Sequence, residues 1–186
     1  MPLSNEDYQR AAQGPNLEPA KIKAVDQVES QGEGFLPSGE PKILFEAHWF
    51  SRLTDGKYDD SHPDISSPEW NPDLYEGGQG EHDRLQKAVE PNRNAALKSA
   101  SWGRFQIMGL NWQKCGYKSL QAFINGMYES EREHLHAFIS FLKSERLLGP
   151  LRNENWCAFA RGYNGAQYQR QDYHTRLMNV YKEVVT

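Results

Sequence analysis

Long apolar runs are missing from this sequence. Nowhere do about 18 apolar residues follow one another, and the opening MPLSNEDYQRAAQG contains no apolar core of a leader. A membrane-spanning helix and a secretory signal are therefore not encoded, and synthesis as a soluble cytosolic protein is expected. A surplus of positive charge is also missing. With 21 Lys and Arg against 25 Asp and Glu, the net charge is -4, too acidic for capture of nucleic acid through a broad electrostatic field. Cysteine is scarce: Cys115 and Cys157 stand outside any CxxC or Cys/His spacing, which predicts two partly buried thiols rather than a disulfide framework. His134 and His136, two positions apart on a helix, point to different sides, and no HExxH occurs, so no metal site is expected. Repeats of 20 to 50 residues and low-complexity tracts are absent as well, which removes solenoid and array architectures.

What is present is a pattern of helices sized for one domain of 186 residues. Ser4 with Asp7 forms a capping-box pattern and predicts a first helix over Asn5 to Gln13. A second follows Gly14-Pro15, accepts Pro19 in its first turn and runs to about Ser30, before Gly32 and Gly34. A third is expected from about Pro41 through KILFEAHWFSRL. Helical pattern returns over His82 to Val89, Asn92 to Ser101 and Ser119 to Tyr128. Ser130 and Glu133 cap a helix whose Leu135, Phe138, Ile139 and Leu142 share one stripe, with Gly149-Pro150 as its stop. Its charged start, Glu129, Glu131, Arg132 and Glu133, reads as solvated. A shorter helix carries Trp156, Phe159 and Ala160. The last runs from about Tyr168 to Val184 with Tyr173, Leu177, Val180 and Val184 on one face. The fold class is mainly α.

Between Thr54 and Gly80 the character changes. TDGKYDDSHPDISSPEWNPDLYEGGQG is rich in Asp, Pro, Ser and Gly but holds Tyr58, Trp70 and Tyr75. A connection this long in a compact domain is functional or mobile, and an ordered, cleft-lining excursion with a small hairpin is the preferred expectation. SHPD, 61–64, reads as a turn. Five Trp residues suit sugar faces and core packing equally, and Trp102 between Ser101 and Gly103 is open to both uses.

The carboxylates carry the chemistry. Ile22, Val25 and Val28 define the apolar face of the second helix, and at about 100 degrees per residue Glu29 projects between Ile22 and Val25. An inward carboxylate is penalised in its charged form, so its pKa rises and it keeps a proton that a leaving oxygen can take. Read as helical, Glu46 projects among Ile43, Phe50 and Leu53. The competing reading of both is a buried partner such as Arg, or a helix end.

VESQGEGF, SASWGRFQIMG and FARGYNGAQY, in that order, resemble three blocks of the lysozyme-like superfamily that includes goose-type lysozymes and soluble lytic transglycosylases. The family pattern is Glu-Ser at a helix end, then Ser-x-x-Gly-x-x-Gln-Ile, then Ala-x-x-Tyr-Asn-x-Gly. Here these are Glu29-Ser30; Ser101, Gly103, Gln106 and Ile107, one residue short when counted from Ser101; and Ala160, Tyr163, Asn164 and Gly165. With KILFEAHWF added, the sequence is more closely similar to the N-acetylmuramidase domain of bacteriophage endolysins over nearly the whole chain. The resemblance implies a lysozyme-like helical fold that cleaves peptidoglycan glycan strands, as a monomer, with no metal or organic cofactor. It makes Glu29 the general acid. Glu46 and His48 match a Phe-Glu-x-His-x-Phe pattern, in which Glu46 positions water or supports transition-state charge. Ser101 and Gln106 would line the cleft, and Tyr163 and Asn164 would stand near Glu29. It also implies one muramidase domain without a separate wall-binding module, accumulating in the host cytoplasm and reaching the wall after a membrane lesion.

Two carboxyls about 6.5 to 9.5 Å apart would suit inversion through water, and about 5 to 5.5 Å a covalent intermediate. Transglycosylases of the same superfamily need one acid/base and let the muramic 6-hydroxyl attack. A lectin or structural protein on the same scaffold is the non-enzymatic alternative, and a protein-contact role for the 54–80 segment the third.

Overall fold

The computed structural model describes residues 2–30, 33–165 and 172–185. The first two helices form where the sequence places them. In α1 (Asn5–Gln13) the Ser4 side chain accepts from the Asp7 backbone and the Asp7 carboxylate accepts from Ser4, closing the capping box. α2 (Pro19–Ser30) begins on its proline, which has no N–H to leave unsatisfied in a first turn.

The expected third helix divides in two. Ile43–Phe45 is a strand, β1, and only Ala47–Leu53 is helical, α3. Glu46 therefore occupies the N-cap position of α3, in extended conformation, and not a helical turn. The cause is pairing with distant chain: β1 lies antiparallel to β2 (Ala100–Trp102), matching Ile43 to Trp102 and Phe45 to Ala100, and β2 pairs with β3 (Ile107–Met108). Leu53 is exposed, so the environment expected for Glu46 holds only at Ile43 and Phe50, which are buried.

The 54–80 segment is a chain of turns with one 3-10 turn, Pro72–Leu74, and no strand. The hairpin expected there is β2 to β3 instead. SHPD does form a turn, and Ser61 Oγ meets the adjacent His62 ring at 2.8 Å. Asp59 accepts from Ser51 and Ser66 and folds the segment back onto α3.

α4 (Gln79–Ser99) merges the two expected helices across a kink at Pro91-Asn92, and it stops two residues before Ser101 because β2 begins. α5 (Leu120–Glu129) and α6 (Glu131–Ser144) start on the Ser119 and Ser130 caps. Gly149-Pro150 does not end α6; both lie inside the short α7 (Leu148–Arg152), where proline is tolerated in a first turn. α8 (Trp156–Asn164) and α9 (Tyr173–Val185) complete the chain, and the Tyr168 start expected for the last helix lies outside the described residues.

The core sits between α2, α4, α5, α6, α8 and the back of the sheet. Phe105 stacks on Phe138 with ring centroids 4.3 Å apart, and Phe159 stacks on Tyr163. Trp102 is 1% exposed and donates its indole N–H to the Leu97 carbonyl, so it is core and not a sugar platform. α9 packs along α2 and against α8, closing the end of α2 where Glu29 stands. Cys115 is a buried free thiol and Cys157 an exposed one, which corrects the expectation of partial burial for Cys157.

The start of α6 also departs from expectation. Glu131 is buried, accepting from the backbone of Leu3 and Gly34 and pairing with Arg104 at 2.9 Å. Arg104 spends its other nitrogens on Asp26, at 2.6 and 2.8 Å, and Tyr8 donates to the same carboxylate. This network joins α1, α2, α6 and the β2–β3 turn. Among the described residues no helix is long and apolar enough to cross a membrane.

Candidate active site

A cleft of about 390 Å³ opens between the end of α2 and the outer face of the sheet, lined by Glu29, Ser30, Lys42, Leu44, Gly103 and Gln106 among others. Strand alternation builds its floor: Ile43 and Phe45 are buried, while Lys42 and Leu44 face the opening. The β2–β3 turn forms one wall. Gly103 has φ +68°, and a side chain there would drive a Cβ within 2.9 Å of the His134 ring, so the turn requires glycine. His134 is itself fixed by the Arg104 N–H and the Met127 carbonyl.

Gln106 holds a left-handed backbone, φ +46°, uncommon for a residue with a side chain. Its surroundings fix it: the side-chain amide donates to the Gly103 carbonyl at 2.9 Å and accepts from Ser101 Oγ at 2.9 Å. Such a held, strained residue at a cleft wall is a feature of functional sites. Ser101 is buried behind it.

Glu29 stands at the inner edge of the cleft. Among the described residues its Oε1 is buried with no hydrogen-bond partner. Burial raises its pKa from 4.5 to about 7, against the opposing pull of the Tyr173 hydroxyl and the Arg176 guanidinium. The Tyr173 hydroxyl is also buried without a well-formed bond, so the two groups are in contact without a closed hydrogen bond. Among the described residues Glu29 thus has no ion pair at short range and caps no helix.

Glu46 lies two residues beyond Leu44, half-buried. Tyr75 donates to its Oε2 at 2.7 Å, and His48 Nδ1 stands 3.2 Å from the same oxygen. Burial raises the Glu46 pKa, with nearby Glu81 adding to the effect and Tyr75 and Arg84 opposing it. Burial, and secondarily Arg52, lowers that of His48, which favours the neutral imidazole beside the carboxyl. Below this pair, Glu81 is fully buried; it pairs with Arg84 at 3.0 Å and accepts from the backbone of Phe45, Glu76 and Gly77. Glu81 therefore ties the end of the 54–80 segment to β1 and sets Gly78 at the cleft.

The expected residues are thus distributed unevenly. Glu29 and Gln106 share the cleft, with Ser101 behind Gln106. Glu46 and His48 form an adjoining pair. The Tyr163 hydroxyl donates to the Phe105 carbonyl at 2.8 Å, and its ring packs on Phe138, Phe141 and Phe159; it is close enough to feel Glu29 but not free to reach it. Asn164 is exposed at the last position of α8 and does not line the cleft. Lys42, Glu81, the Tyr75 bond to Glu46 and the Tyr173 contact with Glu29 were not singled out from the sequence. Tyr173 left a local signal in its place on the apolar stripe of α9, and Tyr75 as an aromatic within the polar 54–80 segment. Among the described residues no group of three His, Cys, Asp or Glu is placed to hold a metal.

Comparison with known proteins follows the same lines. The structure is similar to the crystal structure of a Burkholderia AP3 phage endolysin, with a TM-score of 0.89 and 36% sequence identity, covering 98% of this chain and 70% of that one. No curated protein matches significantly. The family model for N-acetylmuramidase matches residues 18–185, spanning the cleft and all the helices that build it, and the chain belongs to the N-acetylmuramidase family.

Proposed function

We propose that this muramidase cuts peptidoglycan between N-acetylmuramic acid and N-acetylglucosamine, with Glu29 as the general acid. The observation that carries the assignment is a carboxyl at a cleft edge, one oxygen of which is buried without a hydrogen-bond partner among the described residues, and whose pKa burial raises to about 7. A carboxyl in that state keeps its proton in about half of the molecules at pH 7 and in most of them below it, and gives it to the glycosidic oxygen as the bond to the anomeric carbon breaks. Gln106 and Ser101 offer amide and hydroxyl groups to the sugar beside that bond. Glu46, polarised by His48 and Tyr75, supports the positive charge developing on the sugar or orients the attacking water. The chain acts as one monomeric catalytic domain. The likeness to a phage endolysin supports a role in host lysis, with the enzyme gathering in the host cytoplasm and meeting the wall after a membrane lesion.

A second reading, lytic transglycosylation, is favoured by one feature: Glu46 does not line the cleft that holds Glu29. A site with one working carboxyl suits attack by the substrate's own 6-hydroxyl. Mass spectrometry of borohydride-treated muropeptides separates the two. Reducible muramic ends are expected, anhydro ends would replace hydrolysis by transglycosylation, and no cleavage at all would remove the enzymatic reading.

A further inference from the structure

Trp70 is 60% exposed, the most exposed of the large hydrophobic side chains among the described residues, and yet it is fastened in place. Its indole N–H donates to the Tyr75 hydroxyl at 2.9 Å, and that hydroxyl donates to Glu46 at 2.7 Å. The chain between the two aromatics is stiffened as well: Asn71 caps the 3-10 turn by accepting from Asp73 N–H, and Tyr75 N–H closes onto the Pro72 carbonyl. An exposed tryptophan ordinarily lies down on an apolar neighbour to shed water. Here, among the described residues, no ring or cation stacks on it, and its edge is bonded inward so that its face stays open.

We propose that Trp70 is a stacking platform for a pyranose ring of the glycan strand, placed where the strand continues past the Glu46 end of the cleft. This rests on reading the cleft as the glycan site. The C–H face of a pyranose carries partial positive charge and apolar surface, and the indole face carries the complementary negative quadrupole. Leu44 faces the cleft and Glu46 follows it just beyond β1, so a glycan strand running from Leu44 toward Glu46 would meet the ring that stands two hydrogen bonds from Glu46. The neighbouring Glu69, Asp73 and Glu76 are exposed and acidic. That rim disfavours an acidic peptide stem and selects the neutral N-acetylglucosamine unit. Tyr75 couples the platform to Glu46, so the ring that binds the strand and the carboxyl beside the reaction are held by one chain of hydrogen bonds.

Calorimetric titration with the N-acetylglucosamine tetramer, in a Glu29→Gln background that cannot turn it over, tests the assignment. Adding Trp70→Ala is expected to weaken binding by about three- to tenfold with an unchanged thermal midpoint, and Trp70→Phe to recover most of the loss. Equal binding by the Trp70→Ala protein, or Trp70→Phe as weak as Trp70→Ala, overturns the platform while the cleft stands. No tetramer binding in the Glu29→Gln protein itself overturns the cleft reading and the platform with it.

Discussion

Asp26 and Glu29 sit one turn apart on α2, both drawn inward, and they meet opposite surroundings. Asp26 is 2% exposed and saturated: Arg104 grips both oxygens and Tyr8 donates to one of them. Glu29 is enclosed but left with an oxygen that no described residue bonds. The lesson is that burial alone does not mark a catalytic carboxyl. Asp26, Glu81 and Glu131 are all deeply buried, and each is answered by an arginine, with backbone N–H groups joining in at Glu81 and Glu131. These three hold elements together. Glu29 lacks that company, and its charged form is the costly one, which is the condition for proton donation.

The largest expected effect divides the pair by activity. Glu29→Gln should lower the rate of wall clearing by a factor on the order of 10³, since it removes the acid while keeping the shape. Its stability should move the other way. The Glu29 pKa is raised in the folded state, so folding holds a proton that the unfolded chain has lost, and stability falls as pH rises from 4.5 through about 7. Above that window the glutamine variant should be more stable than the parent, by about 2 kcal/mol in urea unfolding. A glutamine variant that is less stable there would make Glu29 a structural residue.

Next in size is the opposite manipulation. Arg104→Met strands Asp26 and Glu131 in the interior and should cost about 3 to 5 kcal/mol in the same urea experiment. A cost below 1 kcal/mol would mean that the network contributes little to the joint between α2, α6 and the β2–β3 turn.

How far the sequence foretold this contrast depends on the range of each interaction. The Ser4–Asp7 capping box, the Ser130 cap and the inward projection of Glu29 are local, and were legible. The split at Glu46 was not, because KILF has the apolar content of a buried helix and becomes a strand only by pairing with Ala100–Trp102. Glu131 read as solvated because its partners, Arg104, Leu3 and Gly34, lie far away in the chain. Tyr75 on Glu46 is likewise a contact across 29 positions. The family motifs named Ser101 and Gln106, whose mutual bond depends on a positive φ at Gln106 that no residue pattern announced. Tyr163 was expected near Glu29, and what holds its hydroxyl, the Phe105 carbonyl, lies 58 positions away.

A smaller effect sharpens the comparison at Glu29 itself. The Tyr173 hydroxyl favours the charged carboxylate, so Tyr173→Phe should raise the Glu29 pKa further. The alkaline limb of the activity profile should then move to higher pH by less than about one unit, whereas a shift to lower pH would assign the hydroxyl the opposite role.

The proton on Glu29 is open to direct observation. A carbon-13 NMR titration of the side-chain carboxyls, with the Glu29 signal identified by its loss in Glu29→Gln, should give a midpoint near 7, as burial at the cleft edge demands. A midpoint near 4.5, that of a glutamate in water, would mean that the carboxyl is already charged at neutral pH and has no proton to give.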